Sequence, residues 1–341
     1  MSLSFDRPVT LADFESLTDD SKGGARTREL IHTIRDYMPF FDQGIVIPAN
    51  DGTTDKGKIV TGYPEGQLRG YNEGWKAEVA HGIDVRYESS MVRTRSVVDY
   101  DLYSQHPEAD RAAWRLRKDQ AFMRGLARAA VKRVFFGDKS TNARDMDGLA
   151  NIITPKNEIF ADRIINAKGS TADKQASIYI INWDADACFM FHPQHGSQAG
   201  LKWEDMGERY VKDKSGNDYR AMVSEFAWDL GLAIYNPENV VRIANIDTAK
   251  LSKSHTTAGT ADLVDLLTQA LEMLPDAQSG RTAIYMNDTL RSVLRRQMMN
   301  RDNLMLNWSE IAGRKVLAYG EVPIHKLGND ILSNTEAVLS I

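Results

Sequence analysis

Five potential metal ligands fall within the single segment DADACFMFHPQH: Asp184, Asp186, Cys188, His192 and His195. Carboxylates and imidazoles at this density could build a shell for a divalent metal and so support hydrolysis. Pro193 spoils the spacing. A His-Pro-x-His run does not set two imidazoles on one helix face, and neither His-Glu-x-x-His nor a paired Cys-x-x-Cys accompanies it. The segment is therefore expected to be structural loop. Cys188, between Ala187 and Phe189, reads as a small buried apolar residue and not as a nucleophile.

The run Phe136-Gly137-Asp138-Lys139-Ser140-Thr141 has the residue types of a phosphate loop. It lacks the first glycine and the Gly-Lys-Ser/Thr order, and it follows a helix where a strand is required. No Gly-x-Ser-x-Gly elbow and no dinucleotide fingerprint occurs. The expectation is no enzyme: no catalytic residue, no cofactor and no metal.

The elements that would have to position such chemistry are unusual in their length. Ile83 to Val98 alternates well enough (Ile83, Val85, Tyr87, Met91 against Asp84, Arg86, Glu88) to predict one strand of roughly 50 Å. Pro107 to Phe136 predicts a helix of about 45 Å, opened by Pro107 with Glu108 and Asp110 at its positive end and stopped by Gly137. A chain of 341 residues has a compact radius of gyration of only about 20 Å, so such elements must project and find cover on other copies. The helix is apolar on several sides (Trp114, Leu116, Phe122, Leu126, Val131, Val134, Phe135, Phe136), which predicts contact on several sides. Its excess of arginine and lysine reads chiefly as a solvated face.

The rest of the chain reads as mixed α+β. Scattered anchors (Phe5, Val9, Leu11, Phe14, Leu17) form an arm before a helix-like run, Thr27 to Tyr37. Phe40 to Pro48 predicts the first core strand. The glycines Gly62, Gly66, Gly70 and Gly74 argue against a compact core between Gly62 and Gly82, leaving Tyr63, Tyr71 and Trp75 to anchor on a partner. Further strands are predicted at Ser177–Ile181, Tyr219–Asp229 and Val240–Ile246, with Gly216-Asn217 as a hairpin turn between polar arms. Asp262–Leu274 and Asp288–Met299 predict helices flanking a strand at Ala283–Met286, and Lys315–Ile341 returns to strands. Strands and helices without βαβ alternation give the α+β class. Gly137 and Gly148 are the expected hinges.

A net charge of −5 gives no global attraction to nucleic acid or anionic membrane. The single cysteine rules out an intramolecular disulfide and fits a reducing compartment. No apolar run approaches the roughly 18 residues of a membrane span, and the start, MSLSFDRPVTLADF, carries no secretory signal.

Several segments together resemble the major capsid proteins of tailed bacteriophages with the Hong Kong 97-type fold, and most resemble those of short-tailed phages related to epsilon-fifteen. They are, in chain order, LRGYNEGWKAEVAHGIDVRYESSMVRTRSVVD, the helix from Pro107, GLANII, the stretch from SIYIINWDADACFMFHPQH to NVVRIANID, and the tail GEVPIHKLGNDILSNTEAVLSI. The resemblance implies an N-terminal arm (1–39), a peripheral-domain strand and turn (40–57), and an extended loop (58–98). It continues with a peripheral domain with its spine helix (99–160, helix 107–136), an axial domain with inserted strands (161–314), and C-terminal strands (315–341).

It also implies self-assembly into hexamers and pentamers of an icosahedral head that encloses double-stranded DNA. Assembly would occur in the bacterial host cytoplasm, with scaffold, portal and cement or decoration proteins as further partners and no membrane. Some relatives join a loop lysine to a neighbour's asparagine with help from a glutamate. Lys76 lies in the loop here, but nothing marks a matching triad, so noncovalent or cement-protein stabilisation is expected. Trp75, Lys76, Arg93, Arg95, Arg115 and Arg117 are the expected subunit-interface residues. The competing functions are a metal-dependent hydrolase built on Asp184, Asp186, His192 and His195, and a DNA-binding protein built on the basic helix.

Overall fold

Strands that are apolar nearly throughout are covered on both faces, whereas strands that alternate polar with apolar residues keep one face toward solvent. The computed structural model describes residues 10, 11, 13, 15, 22–195, 198–252, 259–275, 281–299, 306–311 and 314–341. The arm anchors Phe5, Val9, Phe14 and Leu17 lie outside the described residues, while Leu11 is fully buried.

In chain order, α1 (Lys22–Tyr37) and a 3-10 turn at Pro39–Asp42 lead into β1 (Val46–Pro48), β2 (Thr54–Gly62), β3 (His81–Glu88) and β4 (Ser90–Asp99). The helices α2 (Tyr100–Ser104), α3 (Glu108–Phe136) and α4 (Leu149–Ile152) follow, then β5 (Ile164–Asn166), β6 (Gln175–Trp183), β7 (Cys188–His192), β8 (Leu201–Lys212), β9 (Asp218–Ile234) and β10 (Val240–Asp247). The last part comprises α5 (Leu263–Glu272), β11 (Arg281–Asn287), α6 (Asp288–Met299), β12 (Leu306–Ile311), β13 (Arg314–Tyr319) and β14 (Val322–Leu327).

A seven-stranded sheet has the order β12-β13-β14-β11-β6-β10-β5. Its centre is buried throughout: every residue of β6 and of β10 is inaccessible. One face, with Ile178, Ile180, Val241, Ile243 and Ile284, packs on Leu263 and Leu267 of α5 and Leu290 and Leu294 of α6. The other face meets the end of α3 in an aromatic cluster. Phe40 lies 5.0 Å from Tyr285, 5.7 Å from Phe135 and 5.8 Å from Trp183 between ring centroids, and Trp183 Nε1 donates to Tyr285 Oη at 2.8 Å. Each such ring contributes about 1.5–3 kcal/mol by burial and about 0.5–1.5 kcal/mol per ring pair beyond it.

The second sheet runs β1-β7-β9-β4, with β8 also on β9. The long β9 carries it: its first part lies between β8 and β4, and its last four residues pair with β7. β8 and β9 meet at the expected turn, where Gly216 takes φ +88° and Asp213 accepts from the amides of Ser215 and Asn217. A separate two-stranded ladder joins β2 to β3.

Three sequence expectations are corrected. Phe40–Pro48 is not one strand: Pro39 opens a 3-10 turn that lets the adjacent Phe40 and Phe41 both be buried, the second against Trp228 at 4.6 Å, and only Val46–Pro48 is extended. The single strand Ile83–Val98 is two strands, because β2 begins at Thr54 and the ladder it shares with β3 therefore ends at Glu88. The chain then steps at Ser89 onto β9, where β4 pairs from Ser90 to Asp99. The step reverses the inward face, from odd positions (Val85, Tyr87) to even ones (Ser90, Ser96), so Arg93 and Arg95 do not continue the face of Tyr87. Finally, the tail after Leu327 holds no further strand and crosses the seven-stranded sheet as a strap.

Candidate assembly surfaces

The β2–β3 hairpin is fixed at its base by side chains remote in sequence. Tyr235 lies against Gly57, where an added Cβ would come within 2.3 Å of its ring, and Tyr235 Oη donates to Asp55. Tyr87 Oη donates to the Ile234 carbonyl at 2.6 Å, and the two tyrosine rings meet edge-on at 5.7 Å. Burial, then Asp55, pushes the Tyr235 hydroxyl above its ordinary value, so it stays protonated and able to donate.

The tip, residues 63–80, is exposed throughout. Leu68 and Tyr71 are fully exposed, Tyr63 is 74% and Trp75 67% exposed. Contacts within the tip order it: the Arg69 guanidinium sits 4.9 Å from the Trp75 ring, Gln67 Nε2 donates to Glu78, and Gln67 Oε1 accepts from the Lys76 amide at 3.1 Å. The Arg69–Trp75 contact contributes about 0.5–1 kcal/mol at such an exposed site. Large apolar side chains on a projecting element with no cover in their own chain are what a partner surface requires.

Helix α3 buries one stripe: Asp119, Met123, Leu126, Ala127, Ala130, Val131, Val134 and Phe135. Leu116 extends this stripe and is half-buried, while Trp114, Phe122 and Phe136 lie off it and are also half-buried. Gly137 and Gly148 are a clasp, and the hinge reading is corrected. The Gly148 amide donates to the Gly137 carbonyl at 2.9 Å, and a Cβ at Gly137 would meet the Met146 carbonyl at 2.3 Å. Asp138 accepts from the Ser140 and Thr141 hydroxyls, both at 2.6 Å, and these bonds hold its pKa down to about 2.

The expected interface residues fall into three groups. Trp75 and Lys76 are at the exposed tip. Arg93 and Arg95 lie on the solvent face of β4, ion-paired within the chain, Arg93 Nη1 to Asp229 at 2.5 Å and Arg95 Nε to Glu225 at 2.7 Å. Arg115 and Arg117 part company on α3: Arg117 is exposed, while Arg115 turns inward and donates to Ser224 Oγ at 3.0 Å and the Ser96 carbonyl at 3.3 Å. Asp119, fully buried, accepts from Ser224 Oγ at 2.9 Å and completes this tie between α3 and the sheet.

Sequence reading missed Asp119, and it also missed a second buried pair. Arg242 on β10 donates to Glu336 Oε2 at 3.1 Å and to the carbonyls of Ala150 and Ile153 at 3.0 Å, and Ser177 Oγ donates to Glu336 at 2.6 Å. Burial holds Glu336 above the ordinary carboxylate value even beside Arg242. Asn245, at φ +57° in a bulge of β10, clasps Leu339 through both its side-chain atoms. The sequence signal for this strap was Arg242 and Asn245 inside the otherwise apolar run Val240–Ile246.

The ligand-rich segment is strand where loop was expected. Cys188–His192 forms β7, buried at every residue, since a run of Cys-Phe-Met-Phe can fill both sides of a sheet. Burial pushes the Cys188 thiol up and the His192 imidazole down; His192 Nδ1 donates to the Pro193 carbonyl at 2.9 Å. His195 is exposed, and Asp184 closes a tight turn by accepting from the Asp186 amide. Among the described residues no three His, Cys, Asp or Glu side chains gather as a metal site would need, and no helix is long and apolar enough to cross a membrane.

A family model described as "Major capsid protein GP7" matches residues 22–340. A chain in the structure of bacteriophage Epsilon15 is similar over 87% of this chain and 88% of that one, at 27% identity and a TM-score of 0.60. A chain of the bacteriophage JBD30 capsid is similar over 83% and 87%, at 10% identity and a TM-score of 0.48, too distant to add to the argument. Among curated proteins no sequence matches.

Proposed function

Because the chain belongs to the major capsid protein GP7 family, we propose that its projecting hairpin and its spine helix α3 are the surfaces through which copies of it close into an icosahedral phage head. The chain is a bacteriophage major capsid protein with the Hong Kong 97-type α+β fold, a structural protein of the virion whose partners are other copies of itself. In our reading the copies form hexamers and pentamers around double-stranded DNA in the host cytoplasm, stabilised without covalent crosslinks and without enzymatic turnover. Scaffold, portal and cement proteins are the further partners proposed.

The proposed division follows the sheets. The extended loop is the β2–β3 hairpin, 54–88, narrower than 58–98 because β4 pairs with β9. The peripheral domain is α3 with the five-stranded sheet, and the axial domain is the seven-stranded sheet with α5 and α6, strapped by the C-terminal tail. Trp75 and Lys76 at the tip and Arg117 on α3 reach neighbouring copies directly. Arg93 and Arg95 present a charged ladder whose intrachain ion pairs can exchange partners. Arg115 contributes by orienting α3.

The observation that carries this reading is the tip itself, residues 63–80, exposed throughout with Leu68, Tyr71 and Trp75 uncovered. Negative-stain imaging and sedimentation of the expressed chain, alone and with a scaffold, test it. Closed shells or capsomer-sized rings are the expected result. A stable monomer under all salt conditions, with scaffold present, overturns it.

A further inference from the structure

Opposite flanks of the axial domain carry opposite charge. Helix α6 exposes Arg295 and Arg296, with Arg291 half-exposed on the same stripe and Met299 81% exposed at its end. The neighbouring Asp288 is taken by Lys326 of β14 at 3.1 Å, and none of these three arginines makes an ion pair among the described residues. Burial, and after it the nearby Arg295, lowers the pKa of Arg291, with Asp288 opposing.

The other flank lies at the β5 edge. The order β14-β11-β6-β10-β5 places four strand spacings, roughly 19 Å, between the two. Here Glu158, Asp162, Glu238 and, at the end of α5, Glu272 are all exposed. Among the described residues lining the cleft formed by Glu158, Asp162 and Glu238, Arg163 is the one base: it reaches Glu238 only at 3.9 Å and ties the end of α5 to this edge by donating to the Met273 carbonyl at 3.0 Å. The floor of this cleft is apolar, made by Val60, Tyr63 and Ile83 at 40%, 74% and 48% exposure. Arginine stems and a methionine fit such an apolar floor beneath an acidic rim.

We propose that the basic α6 flank of one copy docks on the acidic β5-edge flank of the next copy around a capsomer ring. The inference rests on the capsid reading and adds to it the faces and the sense of the contact. A head-to-tail ring needs two different complementary patches on one chain, and this chain carries such a pair. The complementarity is in both charge and apolar surface, which sets register more than it adds affinity.

Charge exchange tests the pairing. Arg295→Glu with Arg296→Glu is expected to raise the concentration needed for ring assembly at least tenfold while circular dichroism and thermal unfolding stay at wild-type values. Glu238→Lys with Glu272→Lys should do the same. All four changes in one chain should restore assembly, and an equimolar mixture of the two double variants should assemble only into rings with an even number of copies. Wild-type assembly by the arginine variant, or a quadruple variant no better than the doubles, overturns the proposal and leaves the capsid reading intact. If Arg295→Glu/Arg296→Glu does not fold, Arg295→Gln/Arg296→Gln replaces it as the test of this flank: a raised assembly concentration is expected, and wild-type assembly overturns the proposal. A wild-type chain that never forms rings brings down the assembly premise instead.

Discussion

The two ends of the β2–β3 hairpin are built by opposite rules. At the base, Tyr235, Tyr87 and Asp55 interlock around Gly57, a position with no room for a side chain. At the tip, Gly74 has no atom within 4 Å of an added Cβ, and the aromatic residues face solvent. The chain fixes where the hairpin leaves the body and leaves open what its far end touches. A partner must then supply the cover, so stability and assembly should respond separately to changes at the two ends.

The largest separation should come from glycine substitutions. Gly57→Val must displace the Tyr235 ring and break its bond to Asp55, costing about 3–4 kcal/mol from overpacking plus a lost hydrogen bond, and assembly should fail with it. Gly74→Ala should leave thermal unfolding of the monomer unchanged. Equal effects of the two changes on the melting temperature would erase the distinction between base and tip.

Trp75→Ala inverts the pattern. Monomer stability should move by no more than about 1 kcal/mol, the scale of the ring's exposed contact with Arg69. Assembly should suffer by about 2 kcal/mol per interface, the scale of a buried aromatic anchor, measured as a roughly thirtyfold rise in the critical concentration. Normal shells from this variant would show that the tip is anchored by something else.

A pH titration separates the hairpin from the axial sheet. His325 is 4% exposed, stacked on Tyr285 at 5.5 Å between centroids, and burial with the nearby Arg291 lowers its pKa to about 4. The unfolded chain therefore binds this proton first, so the contribution to stability is complete above about pH 6.5 and declines as pH falls toward 4, by about 3 kcal/mol. His325→Gln should flatten that stretch of the stability curve. An unaltered slope would place the acid sensitivity elsewhere.

Legibility in the sequence followed the range of the interactions. Helix α6 begins and ends where the apolar spacing and the chain's punctuation put it, and α3 is off by one residue at Pro107, because caps and periodicity are local. The reversal of face at Ser89 was invisible, since it depends on where β2 begins and on a partner strand more than 100 residues away. Asp119 and Arg242 looked like ordinary surface charges for the same reason: their partners Ser224 and Glu336 are 105 and 94 residues distant. Exposed surfaces were read better than buried polar ties. Trp75 needed only a glycine-rich setting to be singled out, whereas Arg115 was assigned to an interface and spends its donors inside the chain.

The smallest effect belongs to the ion pair at the edge of the hairpin base, Lys139 Nζ to Glu88 at 2.8 Å. Lys139 lowers the pKa of the Glu88 carboxyl by donating a hydrogen bond to it, against an opposing burial effect. A lowered carboxylate contributes stability above its unfolded value and loses it as pH falls through the folded one, so the pair should matter at pH 7 and vanish in acid. Both groups are about two-fifths exposed, which reduces the contribution to about 0.5 kcal/mol. Lys139→Met should therefore lower the melting temperature slightly at pH 7 and not at all near pH 3, and 0.5 M salt should mimic the substitution. A cost as large as that of Gly57→Val would mean that the hairpin is held by charge at its rim and not by the tyrosines packed beneath it.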